Sequence, residues 1–509
     1  MGINAKALHV LWLVSLLTVA NSAISSDLRI AGATEKGDKE AVRSLLKQHA
    51  DVNSAQADGA TALAWAAYRD DLEVTELLIG AGAKVNAAND YGITPLHLAC
   101  TNGSAAMVER LLAAGAEPTD SILMICARTG NPAAVKAMLA HGANANAKEP
   151  RAGQTPLMWA VAQKHLDAAR ALVEQGADVN AHSSRGFTPL MFGAQQDDLE
   201  MVKMLLGAGA KIDDTSADGY TALLVASSSG HEALSIFLLD KGADANAAEE
   251  HGLTAMHFAI MKGLAIISRI RLQKRNEQAG SPHLNRPNMV ELVKALLARG
   301  ADPNARVKKL GGIGSPLDWG RGSPGEILPL GATPFLLAAQ TYDASLMRML
   351  AEHGADPKVK TEQDVTALML AAGMNRARNL GSALTDEEED RAVEACKVAL
   401  ELGVDINATD TYRGMTAVHA AVFNGANKII RFLAEHGADL NVKDKIGQTP
   451  LHVAFNIKPP ATMNVERGLV PIILWKDTAD TLLKLGAKPL DAATMAQASD
   501  SGNEAAAGQ

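Results

Sequence analysis

Thr94-Pro95-Leu96-His97-Leu98-Ala99-Cys100-Thr101-Asn102-Gly103 begins a stretch that runs on through Met107-Val108 and Leu111-Leu112 to Gly115. It spells two short helices and their ends. Thr94 is a good N-cap, because its hydroxyl can accept an orphan N–H of the first turn. Pro95 falls at the first helical position, where no donor is needed. The first helix ends in small residues, which let a neighbouring helix approach, and Asn102-Gly103 signals a turn. The second helix carries its apolar residues at helical spacing. Gly115 stands where a helix end calls for a left-handed residue. Neither helix can bury its apolar side alone, so copies of the pair must stack.

Copies are present. A Gly-Ala-(Asp/Glu/Lys/Asn) phrase, once with Val for Ala, recurs at Gly82, Gly115, Gly142, Gly176, Gly209, Gly242, Gly300, Gly354, Gly403, Gly437 and Gly486. Gly176, Gly209 and Gly242 are 33 residues apart, which is the base period. A Thr-(Pro/Ala) phrase keeps step with it at Thr61, Thr94, Thr155, Thr188, Thr221, Thr254, Thr333, Thr366, Thr416 and Thr449. In uninterrupted units the glycine follows the threonine by 21, as from Thr188 to Gly209. Several units carry an Asn/Asp-x-Gly turn signal between one pair and the next, as at Asp90-Tyr91-Gly92.

Thr94-Pro95-Leu96-His97 and Thr449-Pro450-Leu451-His452 match the TPLH signature in full, and Thr254-Ala255-Met256-His257 and Thr416-Ala417-Val418-His419 match it with Ala for Pro. The pattern resembles the ankyrin repeat family from about Asp27 to Pro489. The resemblance implies an all-α solenoid of about twelve right-angled helix pairs with short β-hairpin fingers. It also implies protein–protein binding with no catalysis of its own.

The pattern is broken in places. In the first unit Leu28 stands at the Thr position and His49 at the Gly position. In the fourth, Gly115 is only 6 residues from Ser121 at the Thr position, against 12 from Gly82 to Thr94, so its finger is clipped. Extra residues lie near 264–288, 305–330, 374–390 and 456–475. The first two insertions are basic, with net charges of +4 and +2. They read either as recruiters of an acidic partner or as solvated loops. Asp386 to Asp390 reads as an acidic helix start, with Thr385 and Glu388 at capping-box spacing. The expected organisation is a signal peptide at 1–25, cleaner repeats at 27–262, decorated repeats at 263–489 and a disordered tail at 490–509.

Composition agrees with a repeat array. Aromatic residues make up only 4% of the chain, so thin helices must pack through Ala, Leu, Val and Met. The net charge of −9 disfavours a nucleic-acid partner. Ala7 to Ala20 is an apolar stretch of signal-peptide length after Lys6, and Ala20-Asn21-Ser22 offers a cleavage site. No later stretch is long and apolar enough to span a bilayer. The expected location is therefore periplasmic or secreted.

Chemistry is hard to find in this sequence. There is no HExxH, CxxC or GxSxG, and no cofactor is expected. Gly320-Arg321-Gly322-Ser323-Pro324-Gly325 matches a nucleotide-binding glycine pattern by letter only, since Ile327-Leu328-Pro329 follows and no helix opens. His97, His257, His419 and His452 sit on separate units and cannot converge on one metal. By the resemblance, each bonds to its threonine and the next loop. Met158, Met191 and Met369 fill the same position as gap-fillers. Cys100 and Cys126 fall on adjacent stacked helices, taken as a helix spacing apart, and are expected to be buried free thiols with Cys396.

The resemblance also places the binding surface. Finger residues are Tyr91, Ile93, Phe187, Tyr220, His251 and Tyr412, and first-helix ends are Tyr68, Arg69, Thr101, Asn102, Gln195, Gln196, Phe423 and Asn424. The partner is expected to be a protein of unknown identity, bound through these side chains and the concave face. Other readings are an accessory to an exported enzyme and a binder of an envelope polymer. Trp65, Trp159, Phe192 and Phe258 share one first-helix position and read as core.

Overall fold

The computed structural model describes residues 28–260, 288–308, 330–374, 384, 386–455 and 476–491. The chain divides into two compact units, Met1–Ala217 and Asp218–Gln509. Signal segment, capping box at Thr385, tail and most of each insertion lie outside the described residues.

In Met1–Ala217 the first helices are Ala62–Tyr68, Pro95–Asn102, Asp120–Thr129, Pro156–Ala162 and Pro189–Gln195. They stack in that order. Behind them stand the second helices Leu72–Gly80, Ala105–Ala113, Pro132–Ala140, Leu166–Glu174 and Leu199–Gly207. In Asp218–Gln509 the first helices Ala222–Ser228, Ala255–Ile260, Pro334–Gln340, Ala367–Ala371, Ala417–Phe423 and Pro450–Ala454 likewise stack in order. The core is the seam between the two rows. Leu96, Ala99, Met107, Val108 and Leu111 are fully buried in one pair, and the same positions repeat along the stack.

Local signals explain the ends. Thr61, Thr94, Thr155 and Thr188 each accept the N–H three residues on, at 3.2 to 3.4 Å. Asp38, Asp71, Ser104 and Asp198 do the same for second helices. Gly115 takes φ +90°, and Ala116 N–H reaches back to the Leu111 carbonyl at 3.0 Å. His49, at the glycine position of the first unit, accepts the same left-handed turn at φ +58°.

Two ladders tie the pairs side by side. Where two fingers are neighbours, the later one donates an N–H to a carbonyl of the earlier: Asp90 to Asp58 at 2.9 Å, Ser184 to Ala152 at 2.8 Å and Ala217 to Arg185 at 3.0 Å. Gly186 must be glycine, because a Cβ there would lie 2.7 Å from the Ala217 nitrogen. The fingers are tight turns more than hairpins: the described residues hold isolated antiparallel bridges, Ala55 with Thr61 and Ala248 with Thr254, and no sheet. The second ladder is built from asparagine. Asn146 donates to the Gly176 carbonyl and accepts from Asp178 N–H, and Asn180 does so with Gly209 and Lys211. Asn53 and Asn86 repeat the bond earlier in the row.

Two expectations need correction at the clipped unit. Its first helix begins at Asp120, with Thr119 at the N-cap position but giving no cap bond, so Ser121 lies inside the helix and its hydroxyl faces that of Thr119 at 3.1 Å. Cys100 and Cys126 are joined by a disulfide, with Cα atoms 4.7 Å apart. The spacing of ~8–10 Å between stacked helices is measured axis to axis. Backbones of ~2.3 Å radius leave facing Cα atoms only about 4–5 Å apart when the contact residues are small. Ala99 and Ala127 flank the bridge and are fully buried. Cys396 is the free cysteine, buried as expected.

Candidate functional site

The expected surface splits into exposed, half-buried and buried residues. Tyr68, which ends its helix, is 57% exposed, and Tyr91 at a finger tip is 81% exposed. Tyr412 is 71% exposed. Arg69 is exposed and donates to the Glu35 carbonyl at 3.2 Å. Thr101 is exposed but returns its hydroxyl to the His97 carbonyl at 2.9 Å. Ile93, Phe187, Gln195, Gln196, Phe423 and Asn424 are half-buried.

Several of these side chains serve the stack. Asn102 donates to the carbonyls of Ala67 and Tyr68 at 3.0 and 2.9 Å, fastening one first helix to the end of the previous one. Asn424 does the same to the Gly373 carbonyl at 3.1 Å. Tyr220 and His251 are not surface residues at all, with exposures of 7% and 4%. Tyr220 lies over the Phe258 ring at 6.4 Å. Burial, then the neighbouring Glu249, raises its hydroxyl well above the usual tyrosine range. His251 Nδ1 sits 2.6 Å from Glu249 Oε2, and Glu249 Oε1 accepts the N–H groups of His251 and Leu253. A neighbouring finger turn crowds the position, donating Lys308 N–H to the His251 carbonyl at 2.7 Å, and so withdraws it from solvent.

The converse correction concerns the aromatic first-helix position. Phe258 is core, but Trp65, Trp159 and Phe192 are half-buried, as are Leu98 and Ile125 at the same position. In Met1–Ala217 these five residues form an accessible apolar stripe along the stacked first helices. Trp65 is held by Gln56, whose Oε1 accepts its indole N–H at 2.8 Å, and Tyr68 packs edge-on against it at 5.7 Å. Arg128 lies 5.9 Å from the Trp159 ring centre, in cation–π range. Phe187 leans on Phe192 at 6.0 Å. In Asp218–Gln509 the same position is filled by Val225, Phe258, Leu337, Leu370 and Ala420, which are buried, and by Val453, which is half-buried. The signal in the sequence was the aromatic residue itself, in a chain with so few; its side was misread.

Three of the four signature histidines make the expected bond to their threonine, and His97 does not. Nδ1 of His257, His419 and His452 lies 2.9, 2.9 and 2.7 Å from the hydroxyls of Thr254, Thr416 and Thr449. Met158 takes the role with sulfur, Sδ lying 3.5 Å from Thr155 N–H. Met191 and Met369 are buried at the same position. Burial lowers His97, with Arg128 adding to the effect, and lowers His419. Among the described residues no group of three or more His, Cys, Asp or Glu is placed to hold a metal ion. A shallow polar depression of about 420 Å³ lies beside Asn146, Lys148, Asp178, Asn180 and His182. Its groups belong to the ladder or bond nearby, as Lys148 does to the His182 carbonyl at 2.7 Å.

Stacked helix pairs joined by short fingers, with an accessible apolar stripe among the described residues of Met1–Ala217, define a helical repeat protein. The profile of ankyrin repeats in three copies matches residues 30–122, 123–216, 190–274 and 387–458, more than half of the chain. The chain belongs to the ankyrin repeat family. It is similar to the B-cell lymphoma 3 protein homolog of Mus musculus, at 29% identity over 30% of this chain and 37% of that protein. An ankyrin repeat-containing protein of Schizosaccharomyces pombe is 43% identical over 12% of this chain and 28% of its own length. The inhibitor of Bruton tyrosine kinase of Xenopus laevis is 31% identical over 16% of this chain and 6% of its own. The chain thus spans about a third or less of these relatives. The crystal structure of the human ASB11 ankyrin repeat domain aligns with a TM-score of 0.36 and 30% identity, covering 39% of this chain and 90% of that one. Proteins of this family are generally protein–protein interaction modules, and no helix among the described residues is long and apolar enough to cross a membrane.

Proposed function

We propose that the chain is an exported, non-catalytic binding module that recognises a partner protein through Met1–Ala217. The observation that carries this is the stripe of Trp65, Leu98, Ile125, Trp159 and Phe192, with Tyr68 beside it and Tyr91 on a finger tip. Aromatic and arginine side chains supply most interface hot spots, and rigid rings give large contact area at small entropic cost. The chain has only five tyrosines, and three of them stand among its exposed large apolar side chains. Export is supported by the apolar stretch Ala7 to Ala20 and by the Cys100–Cys126 bridge, since disulfides persist in oxidising compartments.

The test is cross-linking and pull-down from the exported fraction with the wild type and with Tyr68→Ala plus Tyr91→Ala. Selective loss of one captured protein from the variant supports the reading. Equal capture of the same proteins by both would remove the surface from consideration, and recovery of the chain from the cytoplasm with Lys6 still attached would remove export.

A further inference from the structure

We propose that the Cys100–Cys126 disulfide is a redox-cleavable joint that stands in for the missing finger of the clipped unit. The rungs at Asp90–Asp58 and Ser184–Ala152 have none between them, so neither joint of the clipped unit carries a finger rung, and the disulfide spans the first of the two. Thr119 occupies the place of the ladder asparagine, four residues after Gly115. Across to the following loop there is only one such bond, Asn144 N–H to Asp120 Oδ1 at 3.3 Å. The clipped first helix Asp120–Thr129 also lacks a side-chain cap bond. The bridge falls at this gap, joining Pro95–Asn102 to Asp120–Thr129, and Thr129 adds a hydroxyl bond to the Cys100 carbonyl at 2.9 Å. A covalent link between neighbours thus sits where the finger rung is absent, beside the Thr129 bond and that of Asn131 to the Gly103 carbonyl at 2.7 Å.

Both sulfurs are fully buried, so a reductant reaches them only when the joint opens. An external dithiol then attacks one sulfur as thiolate and expels the other, which takes a proton. Its second thiol resolves the mixed disulfide, leaving Cys100 and Cys126 as thiols and the reagent as its own disulfide. Two electrons and two protons end on the protein. After reduction the two first helices are held by packing and a few bonds, and this part of the stack opens more often than its neighbours.

The experiment uses the full chain with Cys396→Ala and needs no knowledge of a partner. Thiol counting on the denatured protein, purified from an oxidising compartment, is expected to give none before dithiothreitol and two after; two before would overturn the proposal. Amide hydrogen exchange is then compared with and without dithiothreitol. Exchange in Pro95–Asn102 and Asp120–Thr129 is expected to rise on the order of tenfold or more, with Ala222–Ser228 unchanged. No change in the two helices, or the same rise everywhere, would overturn it. Cys100→Ala plus Cys126→Ala should reproduce the reduced pattern and ignore dithiothreitol.

Discussion

His257 Nδ1 accepts both from the backbone N–H of Thr254, at 3.1 Å, and from its hydroxyl, at 2.9 Å. A nitrogen that accepts twice carries no proton, so the imidazole is neutral, with its proton on Nε2. That atom faces the carbonyls of Ala305 and Ala332, although no full hydrogen bond closes there. Burial, opposed by these carbonyls, lowers the histidine from 6.5 to about 4. Between those values the unfolded chain binds a proton that the folded chain refuses, so stability is full above pH 6.5 and is lost as pH falls towards 4. The loss is about 3 kcal/mol if the whole shift is realised. Urea denaturation at pH 7.5 and pH 5 should show it. His257→Met, copying Met158, should flatten the pH dependence; an unchanged slope would show that this imidazole is not its source.

Tyr91 and Tyr220 occupy the fingers of two different repeats, and one is solvent-facing while the other lies on Phe258. Tyr91→Ala should move the denaturation midpoint by no more than ~0.5 kcal/mol. Tyr220→Ala empties a buried site and should cost about 3 kcal/mol. Equal effects in the two variants would mean that the fingers are not packed as described.

Asn180 closes a two-bond rung, giving its amide N–H to Gly209 and its oxygen to Lys211 N–H, at 3.2 and 2.8 Å. Asn180→Ala removes both and should cost about 1–2 kcal/mol. Asn180→Asp keeps the acceptor and loses the donor, so it should cost about half as much. The check is the denaturant midpoint of the three proteins. If the alanine variant is as stable as the wild type, the asparagine ladder is decoration.

What was legible in the sequence was whatever repeats locally. Thr94 capping His97 N–H, Gly115 turning left-handed and Leu111 facing inward are decided within one helix pair, so the period reveals them. What was not legible is decided between pairs. Asn180 recurs four residues after its glycine, but only stacking shows that it reaches Gly209 in the next unit. Tyr220 and His251 look exposed in an isolated finger and are buried by their neighbours. Trp65 looks like core because it is large and apolar, but the first helices turn that position towards solvent. Cys100 and Cys126 lie a full axis spacing apart as helices but only 4.7 Å apart as Cα atoms, a difference that the period does not carry.

Glu232 supplies the last case, a cap offered by one helix to another 60 residues away. The second helix Val290–Ala298 begins after Met289, which has no oxygen with which to cap it. Elsewhere this place is held by Asp71, Asp198 or Asp343. Here Glu232 Oε1, from Glu232–Asp240, accepts Leu292 N–H at 3.1 Å. Glu389 does the same for Lys428 N–H where Ala426 stands at the cap. A carboxylate at a helix N-terminus is favoured both by the bond and by the helix dipole. Glu232→Ala should therefore cost about 1 kcal/mol and speed amide exchange at Val290, Glu291 and Leu292. Met289→Asp introduces the usual cap and should recover that stability in the Glu232→Ala background. If it recovers nothing, the loss came from packing of Glu232, and the borrowed cap is not what holds the start of that helix.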